Sequence, residues 1–278
     1  MDIDNTLNTS KMKETETVTS IHNTRVKRVI ALQQKSAERR ASGLFVVEGR
    51  RELEHCMSAG FEVDSVFFCP EIDSRVEELV GRMASDCQKV IVTPAVYERM
   101  AYRGSTEGAI ALVKWRERRL GDLVLGKCPL LLVVERVEKP GNLGAILRSA
   151  DAAKADGVIV CDALTDLYNP NLIRSSIGAV FTVPTVVTTS EECIDFLRGH
   201  CFSILTAQLQ DSSLYYDTDM RGPTAIVMGT ESTGLTEQWR AAATAHIRIP
   251  MLGRLDSLNV SVSAAILLFE AVRQRTSA

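Results

Sequence analysis

Long hydrophobic segments are missing from this chain of 278 residues. Apolar runs such as Leu130-Leu-Leu-Val-Val134 are far shorter than the roughly 20 residues that a membrane-spanning helix needs. Residues 1–20 are polar and charged, and they contain no apolar core like that of a secretory signal peptide. We therefore expect a cytoplasmic protein without a membrane partner, in which residues 1–20 form a disordered tail.

Paired cysteines are also absent. Seven cysteines are scattered along the chain, and no two of them form a Cys-x-x-Cys pair. An odd, unclustered set without an export signal is typical of reduced thiols in the cytoplasm and argues against structural zinc. We expect no metal site.

Two nucleotide-binding motifs are incomplete. Gly229 and Gly234 have the spacing of a phosphate-binding P-loop, but Leu235 stands where the loop requires a lysine. The segment Pro140-Gly-Asn-Leu-Gly144 has two glycines and lacks the third that a dinucleotide-binding turn needs. Nucleoside triphosphate chemistry and a Rossmann dehydrogenase are both disfavoured.

The composition is that of a globular protein, with 45% hydrophobic and 24% charged residues, and the length suits two domains. The net charge is only −3, yet basic residues are concentrated in two places. The first group is Arg25, Lys27, Arg28, Lys35, Arg39, Arg40, Arg50 and Arg51, and the second is Lys114, Arg116, Arg118 and Arg119. Such groups could bind phosphates or form a solvated helix face, and charge alone leaves both interpretations open.

Strand-like and helix-like segments alternate along the whole chain. Residues 21–115 predict a small α/β domain that begins with a helix whose apolar face carries Val26, Val29, Ile30 and Ala37. Residues 116–127 are charged and aperiodic, so we interpret them as a linker. Residues 128–278 alternate buried strands with helices, which predicts a parallel sheet covered on both faces. Ligands bind such sheets at the carboxyl ends of the strands.

Three loops at those strand ends contain candidate functional residues. The first contains Asn142 as a helix cap, Gly144 as a point of close approach, and Arg148, whose guanidinium suits an anion. The second runs from Gly229 through Glu231. The third opens the last helix at Ser257-Leu-Asn259, where we expect Ser257 to be the N-cap. Each loop taken singly also has an ordinary structural explanation, such as a capped helix or a solvated carboxylate.

Taken together, the motifs resemble a known family. The chain contains, in order, Asn142-x-Gly144-Ala-Ile-x-Arg148, Gly178-Ala-x-Phe181-x-x-Pro184, Met228-Gly-Thr-Glu-Ser-Thr-Gly-Leu235, Ile249-Pro-Met and Ser257-Leu-Asn-Val-Ser-Val262. This series is similar to the SpoU, or TrmH-type, RNA ribose methyltransferases of the SPOUT superfamily. The segment Phe45-Val-Val-Glu-Gly49 also resembles the start of their ribosomal-protein-like substrate-binding domain.

The resemblance implies an α/β fold whose carboxyl-terminal parallel-sheet domain forms a trefoil knot, preceded by a smaller α/β substrate-binding domain. It implies S-adenosylmethionine as the cofactor, ribosomal RNA as the preferred substrate, and a homodimer formed through the knot domain. The implied catalytic residues are Arg148, Asn142, Glu231, Ser257 and Asn259, and the implied cofactor-binding residues are Gly229, Ile249, Met251 and Leu258. The candidate RNA contacts are Arg25, Arg28, Arg39, Arg50 and Arg51.

Two residues depart from the family pattern near the first motif. Lys139 stands where an acidic or amide residue is common, and Lys154 where a glycine usually ends the helix. A left-handed cap at Lys154 would cost roughly 1 kcal/mol without glycine. The alternatives left open are an inactive RNA-binding protein of the same fold, a transfer RNA methyltransferase and an antibiotic-resistance enzyme that modifies ribosomal RNA.

Overall fold

The computed structural model describes residues 16–102, 104, 107–230, 233–254 and 257–276. Glu231, a candidate catalytic residue, lies outside the described residues, as do residues 1–15 of the expected tail. The helices are α1 (Thr24–Gln34), α2 (Ser36–Ser42), α3 (Arg50–Ser58), α4 (Val76–Gly81), α5 (Pro94–Met100), α6 (Pro140–Ala152), α7 (Pro170–Ser176), α8 (Ala179–Thr182), α9 (Ser190–Gly199), α10 (Glu237–Ala242) and α11 (Val260–Thr276). The strands are β1 (Glu16–Val18), β2 (Leu44–Glu48), β3 (Val63–Phe68), β4 (Gln88–Val92), β5 (Ala109–Lys114), β6 (Leu130–Glu135), β7 (Gly157–Cys161), β8 (Thr185–Thr188), β9 (Ser203–Ala207), β10 (Ser213–Leu214), β11 (Thr224–Met228) and β12 (Ala245–Arg248).

The amino-terminal unit, residues 16–114, is a mixed sheet with helices packed on it. Its strand order is β1-β4-β3-β5-β2, with β5 antiparallel to both β2 and β3. The apolar side chains of α1, among them Val26 and Val29, pack against one face of this sheet. Strand β1 pairs with β4, so the expected tail of residues 1–20 is wrong at residues 16–18. Val18 is buried at that edge, and this burial is what orders the segment.

The first helix is also shorter than the sequence predicts. α1 stops at Gln34, because Lys35 adopts an extended conformation before α2 begins. Ala37 therefore lies in a second helix, where it is exposed, and does not continue the apolar face of Val26 and Val29. The basic residues of this region are consequently divided between two helices.

The carboxyl-terminal unit, residues 130–276, is built on a seven-stranded parallel sheet in the order β10-β12-β9-β11-β6-β7-β8. Its central strands are buried along their whole length, as expected for a parallel sheet covered on both faces. The parallel-sheet α/β prediction is confirmed. No helix among the described residues is long and apolar enough to cross a membrane.

The two units share one hydrophobic core. Phe45 of β2 stacks on Tyr168 with ring centroids 4.0 Å apart, and Phe61 meets Phe181 of α8 edge-on at 5.2 Å. Tyr168 donates its hydroxyl proton to the carbonyl of Arg116 at 2.5 Å, which ties the segment between the units to both of them. Extensive apolar contact of this kind holds the units in a fixed relative orientation.

Candidate active site

A cavity of about 380 Å³ opens at the carboxyl ends of β9, β11 and β12. We call it the loop pocket, because the loops that follow these three strands form most of its wall. It is lined by Ala207, Gln208, Leu209, Gln210, Met228, Gly229, Thr230, Thr233, Gly234, Leu235, Arg240, Ile247, Arg248, Ile249, Met251, Ser257, Leu258, Val260 and Ser263. The structure thus brings together Gly229, Ile249, Met251 and Leu258, which the sequence nominated as cofactor-binding residues, with the candidate catalytic residue Ser257.

Gly229 occupies the tightest backbone approach in this pocket. A Cβ atom added there would lie 2.3 Å from the carbonyl carbon and oxygen of Gly234 and 2.5 Å from the amide nitrogen of Leu235. These are main-chain atoms and cannot rotate away as a flexible side chain could. Only glycine at position 229 therefore allows the turn to fold back on the end of β11.

The loop after β9 belongs to the pocket, although sequence reasoning did not select it. Gln208 and Arg240 each place a buried side-chain atom in the pocket wall, Gln208 Oε1 and Arg240 Nε, that has no hydrogen-bond partner among the described residues. A buried polar atom without a partner is costly, so these two atoms indicate that the pocket is completed by a polar ligand. The signal in the sequence was the position of Gln208 directly after a buried strand.

A buried carboxylate supports the far side of the turn. Glu135, at the end of β6, is 1% exposed and accepts hydrogen bonds from the Thr236 amide at 2.9 Å and the Thr236 hydroxyl at 2.6 Å. Ser190 donates to the same carboxylate at 3.3 Å and receives the indole proton of Trp239 at 3.0 Å. Glu135 therefore joins the β6 end to the start of α10, where the turn beginning at Gly229 finishes.

The first and third motifs meet at the start of α6 and α11. Asn259 donates a side-chain hydrogen bond to Asn142 Oδ1 at 3.2 Å, while its own Oδ1 accepts from the Ser261 amide at 2.9 Å. Asn259 is therefore the N-cap of α11, which begins at Val260, and the expectation that Ser257 caps this helix is wrong. Asn142 lies within the first turn of α6, because Pro140 opens that helix, so its expected capping role is also wrong.

Gly144 serves helix packing. A Cβ atom at this position would lie 1.9 Å from Ser175 Oγ and 2.8 Å from the Ser176 amide nitrogen, both on α7. The close approach predicted from the sequence is thus made by the backbone of α7 and not by a ligand. It fixes the face of α6 that the outward side chains, including Arg148, occupy.

Arg148 lines a different cavity from the loop pocket. This second cavity, which we call the arginine cleft, has a volume of about 860 Å³ and lies between the two units. Its charged members are Glu48, Arg51, Glu52, Glu107, Arg148 and Arg174. Arg148 is exposed, and an exposed guanidinium in a cleft can hold a phosphate through two parallel hydrogen bonds. Within one chain, Arg148 therefore lies in the cleft and Ser257 in the loop pocket, while Asn142 and Asn259 line neither cavity.

The candidate RNA-contact arginines differ in accessibility. Arg28 and Arg51 are exposed, although Arg51 also donates to Glu52 at 3.0 Å, and Arg50 is half-buried. Arg25 pairs with Glu16 at 2.8 Å.

The prediction for Arg39 is wrong. Arg39 is 2% exposed, and its Nη2 and Nε atoms donate to Asp166 Oδ2 at 2.5 Å and 3.1 Å. It also donates to the carbonyl of Leu32 at 2.6 Å. Arg39 therefore binds the carboxyl-terminal unit, and its charge is not available to RNA.

Buried thiols do not contribute a nucleophile. Burial raises the pKa of Cys87 to about 11 and also raises the pKa of Cys56. Thiols with raised pKa values stay protonated near neutral pH, where they behave as small apolar side chains. No group of three or more His, Cys, Asp or Glu residues able to hold a metal ion is present in the part of the chain that the structure describes.

Known proteins share both units of this chain. Residues 129–269 match the SpoU rRNA Methylase family, and residues 23–111 match the MRM3-like substrate binding domain. The chain belongs to the SpoU rRNA methylase family. The resemblance inferred from the sequence is thereby confirmed.

Two relatives are similar to this chain over most of its length. It is 37% identical to the 23S rRNA (guanosine-2'-O-)-methyltransferase RlmB of Photorhabdus laumondii subsp. laumondii, over 74% of this chain and 87% of that protein. It is 28% identical to the 23S rRNA (uridine(2479)-2'-O)-methyltransferase of Streptomyces viridochromogenes, over 92% and 91%.

Solved structures agree with the fold. An RNA 2'-O ribose methyltransferase, 37% identical, superposes with a TM-score of 0.82 over 94% of this chain and 99% of that chain. The AdoMet-bound rRNA methyltransferase of Sinorhizobium meliloti, 28% identical, superposes with a TM-score of 0.85 over 94% and 98%. The SPOUT-type fold and the amino-terminal substrate-binding unit are therefore confirmed.

Proposed function

We propose that this protein transfers the methyl group of S-adenosylmethionine to a ribose 2′-hydroxyl of ribosomal RNA. The observation that carries the proposal is the loop pocket, in which residues of three separate family motifs meet around Gly229, Ile249 and Leu258. The relatives named for 23S rRNA 2'-O-methylation support the substrate. The AdoMet-bound relative supports the cofactor.

The residues of the loop pocket fit S-adenosylmethionine. Gly229 leaves space where any side chain would collide with the main chain, and Ile249, Met251 and Leu258 provide apolar surface for an adenosyl group. Gln208 Oε1 is an acceptor suited to an N–H or O–H group of the cofactor. Leu235 in place of a P-loop lysine suits a ligand that has no phosphates.

When bound, S-adenosylmethionine supplies a methyl group made electrophilic by the sulfonium that carries it. After the transfer, the sulfur remains as the neutral thioether of S-adenosylhomocysteine. The protein must hold the ribose 2′-oxygen in line with that methyl group, and the hydroxyl must lose its proton as the new bond forms. Positioning of this kind can contribute on the order of 7 kcal/mol or more.

Arg148 is the residue that we assign to the substrate phosphate and to the developing negative charge on the 2′-oxygen. A guanidinium is a very weak acid and keeps its proton, so Arg148 acts as an electrostatic clamp rather than as the proton acceptor. We assign the orientation of the reacting groups to Asn142, Ser257 and Asn259. The hydrogen bond between Asn142 and Asn259 supports this role. We keep Glu231 as a fifth catalytic candidate on the strength of its motif.

The amino-terminal unit selects the RNA. We assign residues 21–115 to substrate binding, 116–127 to the linker and 128–278 to the catalytic domain, whose last segment threads through a loop to form the trefoil knot. Arg28, Arg50 and Arg51 are the candidate phosphate contacts, together with Arg25. RNA stems are read largely by shape and by 2′-hydroxyl and phosphate contacts, which arginines on a rigid unit can supply.

The active unit is a homodimer formed through α11. Val262 is 47% exposed and Phe269 is 48% exposed, and both lie on a helix stripe that also contains Ala265 and the half-buried Ile266. Exposed apolar side chains at this spacing are suited to a second helix. A dimer also explains why Arg148 lies outside its own chain's loop pocket, since it can then serve the pocket of the partner.

Two experiments test the function. Isothermal titration calorimetry should show S-adenosylmethionine binding to the purified protein, with nicotinamide cofactors as the negative comparison. Mapping of 2′-O-methyl sites in RNA from cells with and without the gene should show one ribosomal site that disappears. Loss of a transfer RNA site instead would move the substrate to transfer RNA. Cofactor binding without any lost site would favour the inactive RNA-binding alternative.

A further inference from the structure

Several arginines meet in a groove that neither cavity of the active site includes. This linker groove has a volume of about 700 Å³ and lies between the segment that joins the two units and the ends of β7 and β8. Its charged lining residues are Arg40, Arg116, Glu117, Arg118, Arg119, Asp166 and Glu192. The basic group at positions 116–119, which stands out in the sequence, therefore lies on the same surface as Arg40 of α2.

The acidic members of the groove are largely engaged. Asp166 is held by the buried guanidinium of Arg39, and Glu192 accepts a hydrogen bond from the hydroxyl of Thr188. By contrast, no salt bridge to a carboxylate is formed by Arg40, Arg116, Arg118 or Arg119 with any residue that the structure describes. With Asp166 paired to Arg39, the four lining arginines exceed the two remaining lining carboxylates, Glu117 and Glu192, so the groove carries a net positive charge.

Local packing constrains two of these arginines, Arg116 and Arg118, which both line the groove. Arg116 donates to the carbonyl of Ala59 at 3.0 Å, and its guanidinium lies 5.5 Å from the centre of the Phe61 ring. Arg118 is half-buried beside it, and burial, followed by the charge of Arg116, lowers the pKa of Arg118. An anion between the two guanidiniums would relieve this repulsion, and phosphate oxygens match guanidinium geometry.

The groove runs along the edge strand β8, from Thr185 to Thr188, and reaches the carboxyl edge of the sheet at Ala163 and Thr165, which follow β7. The loop pocket lies at the same carboxyl edge, after β9, β11 and β12. In the strand order β9-β11-β6-β7-β8, adjacent strands are about 4.8 Å apart, so groove and pocket are separated by roughly 14–19 Å. An RNA-binding domain can span about 16 base pairs, so one RNA can contact both.

We propose that the linker groove binds phosphate groups of the RNA substrate through Arg40, Arg116, Arg118 and Arg119, on the side of the sheet edge away from the loop pocket. The inference rests on the proposed function, because it names a further contact surface for the same RNA. It adds a phosphate-binding surface that is separate from the arginine cleft and that combines Arg40 of the first basic group with arginines of the second. Each phosphate contact contributes to affinity and makes it salt-dependent.

The test compares two double variants of the full chain that lose the same charge. Arg118→Gln with Arg119→Gln removes two groove arginines. Arg82→Gln with Arg221→Gln removes two exposed arginines that pair with Glu54 and Asp219 outside the groove. Fluorescence anisotropy measures binding of a labelled 23S rRNA transcript to each protein over a series of salt concentrations. Circular dichroism melting and calorimetry with S-adenosylmethionine verify folding and the loop pocket.

We expect the groove variant to lose about 10-fold in RNA affinity and about 1.5 in the slope of log affinity against log salt, with cofactor binding unchanged. The control variant should stay within about 2-fold of the native chain. Equal slopes and affinities for the two variants would overturn the proposal, as would a native chain that does not bind the transcript. A native chain that binds RNA with the groove-dependent slope but transfers no methyl group would refute the proposed function and leave the groove in place.

Discussion

The loop pocket and the arginine cleft differ in what forms their walls. The loop pocket, about 380 Å³, is made by turns after β9, β11 and β12, with the Gly229 backbone against that of Gly234. The arginine cleft, about 860 Å³, is lined by charged side chains from both units, including Arg148, Arg174 and Glu107. The rigid main-chain wall of the loop pocket selects a ligand by its shape, whereas the charged side chains of the arginine cleft select it by where its charges lie. Ligand binding in the loop pocket is therefore sensitive to an added methyl group, and binding in the cleft to the loss of a guanidinium.

Gly229→Ala should have the largest effect on the loop pocket. The new Cβ atom would overlap the backbone of Gly234 at 2.3 Å, so the turn must move and the cofactor site is lost. We expect S-adenosylmethionine affinity to fall by more than about 100-fold, equivalent to about 2.7 kcal/mol or more, in isothermal titration calorimetry.

Gly253→Ala is the matched control, because it lies in a loop of the same site and a Cβ atom there meets nothing within 4 Å. It should bind the cofactor as the native chain does. If both variants bind equally well, the close approach at Gly229 does not shape the pocket.

Arg39→Ala should destabilise the contact between the two units, although Arg39 lines neither the loop pocket nor the arginine cleft. It leaves the carboxylate of Asp166 buried without its partner, and breaking such a pair costs about 3–5 kcal/mol. Urea unfolding should show this loss, while Arg40→Ala, at the neighbouring exposed residue, should change the free energy of unfolding by less than about 0.5 kcal/mol. A double variant, Arg39→Met with Asp166→Leu, should recover most of the stability. A small effect of Arg39→Ala would show that the pair is not a clamp between the units.

Arg148→Lys should reduce methyl transfer, which depends on the arginine cleft, without reducing cofactor binding in the loop pocket. Lysine keeps the charge but loses the two parallel hydrogen bonds, so methyl transfer to RNA should fall by about 100-fold if Arg148 clamps a phosphate. Calorimetric binding of S-adenosylmethionine should stay within about 2-fold, because we assign Arg148 to the substrate phosphate and the ribose 2′-oxygen and not to the cofactor. Near-normal turnover of Arg148→Lys would contradict the clamp.

Sequence reasoning located the loop pocket better than the cleft for a physical reason. Gly229, Ile249, Met251 and Leu258 were selected because the motifs that contain them resemble those of the SpoU family. The carboxyl ends of parallel strands meet at one edge of a sheet, which brings the loops after β11 and β12 together. The arginine cleft depends on how two units pack, which no local pattern encodes.

The same limit explains the error at Arg39. Its neighbours in sequence are charged and exposed, and only its pairing with Asp166, 127 residues away, buries it. The loop after β9 was missed because its place in the pocket follows from the strand order β12-β9-β11, which the sequence alone does not give. The start of α11 was predicted at Ser257 but lies at Val260, because both Ser257 and Asn259 are residues that can cap a helix.

Lys154→Gly should have the smallest effect and change neither cavity. Lys154 follows α6 with a φ of 52°, a left-handed conformation in which glycine has no Cβ strain, and the next residue, Ala155, donates to the carbonyl of Ala150 at 2.9 Å. The left-handed cap expected from the sequence is present, so glycine should stabilise the protein by about 1 kcal/mol in urea unfolding. Ala153→Gly, at the neighbouring residue with a φ of −80°, should destabilise it instead. Methyl transfer should be unchanged in Lys154→Gly, because α6 carries Asn142 and Arg148 ahead of this end; reduced transfer would mean that the strained cap helps to aim Arg148.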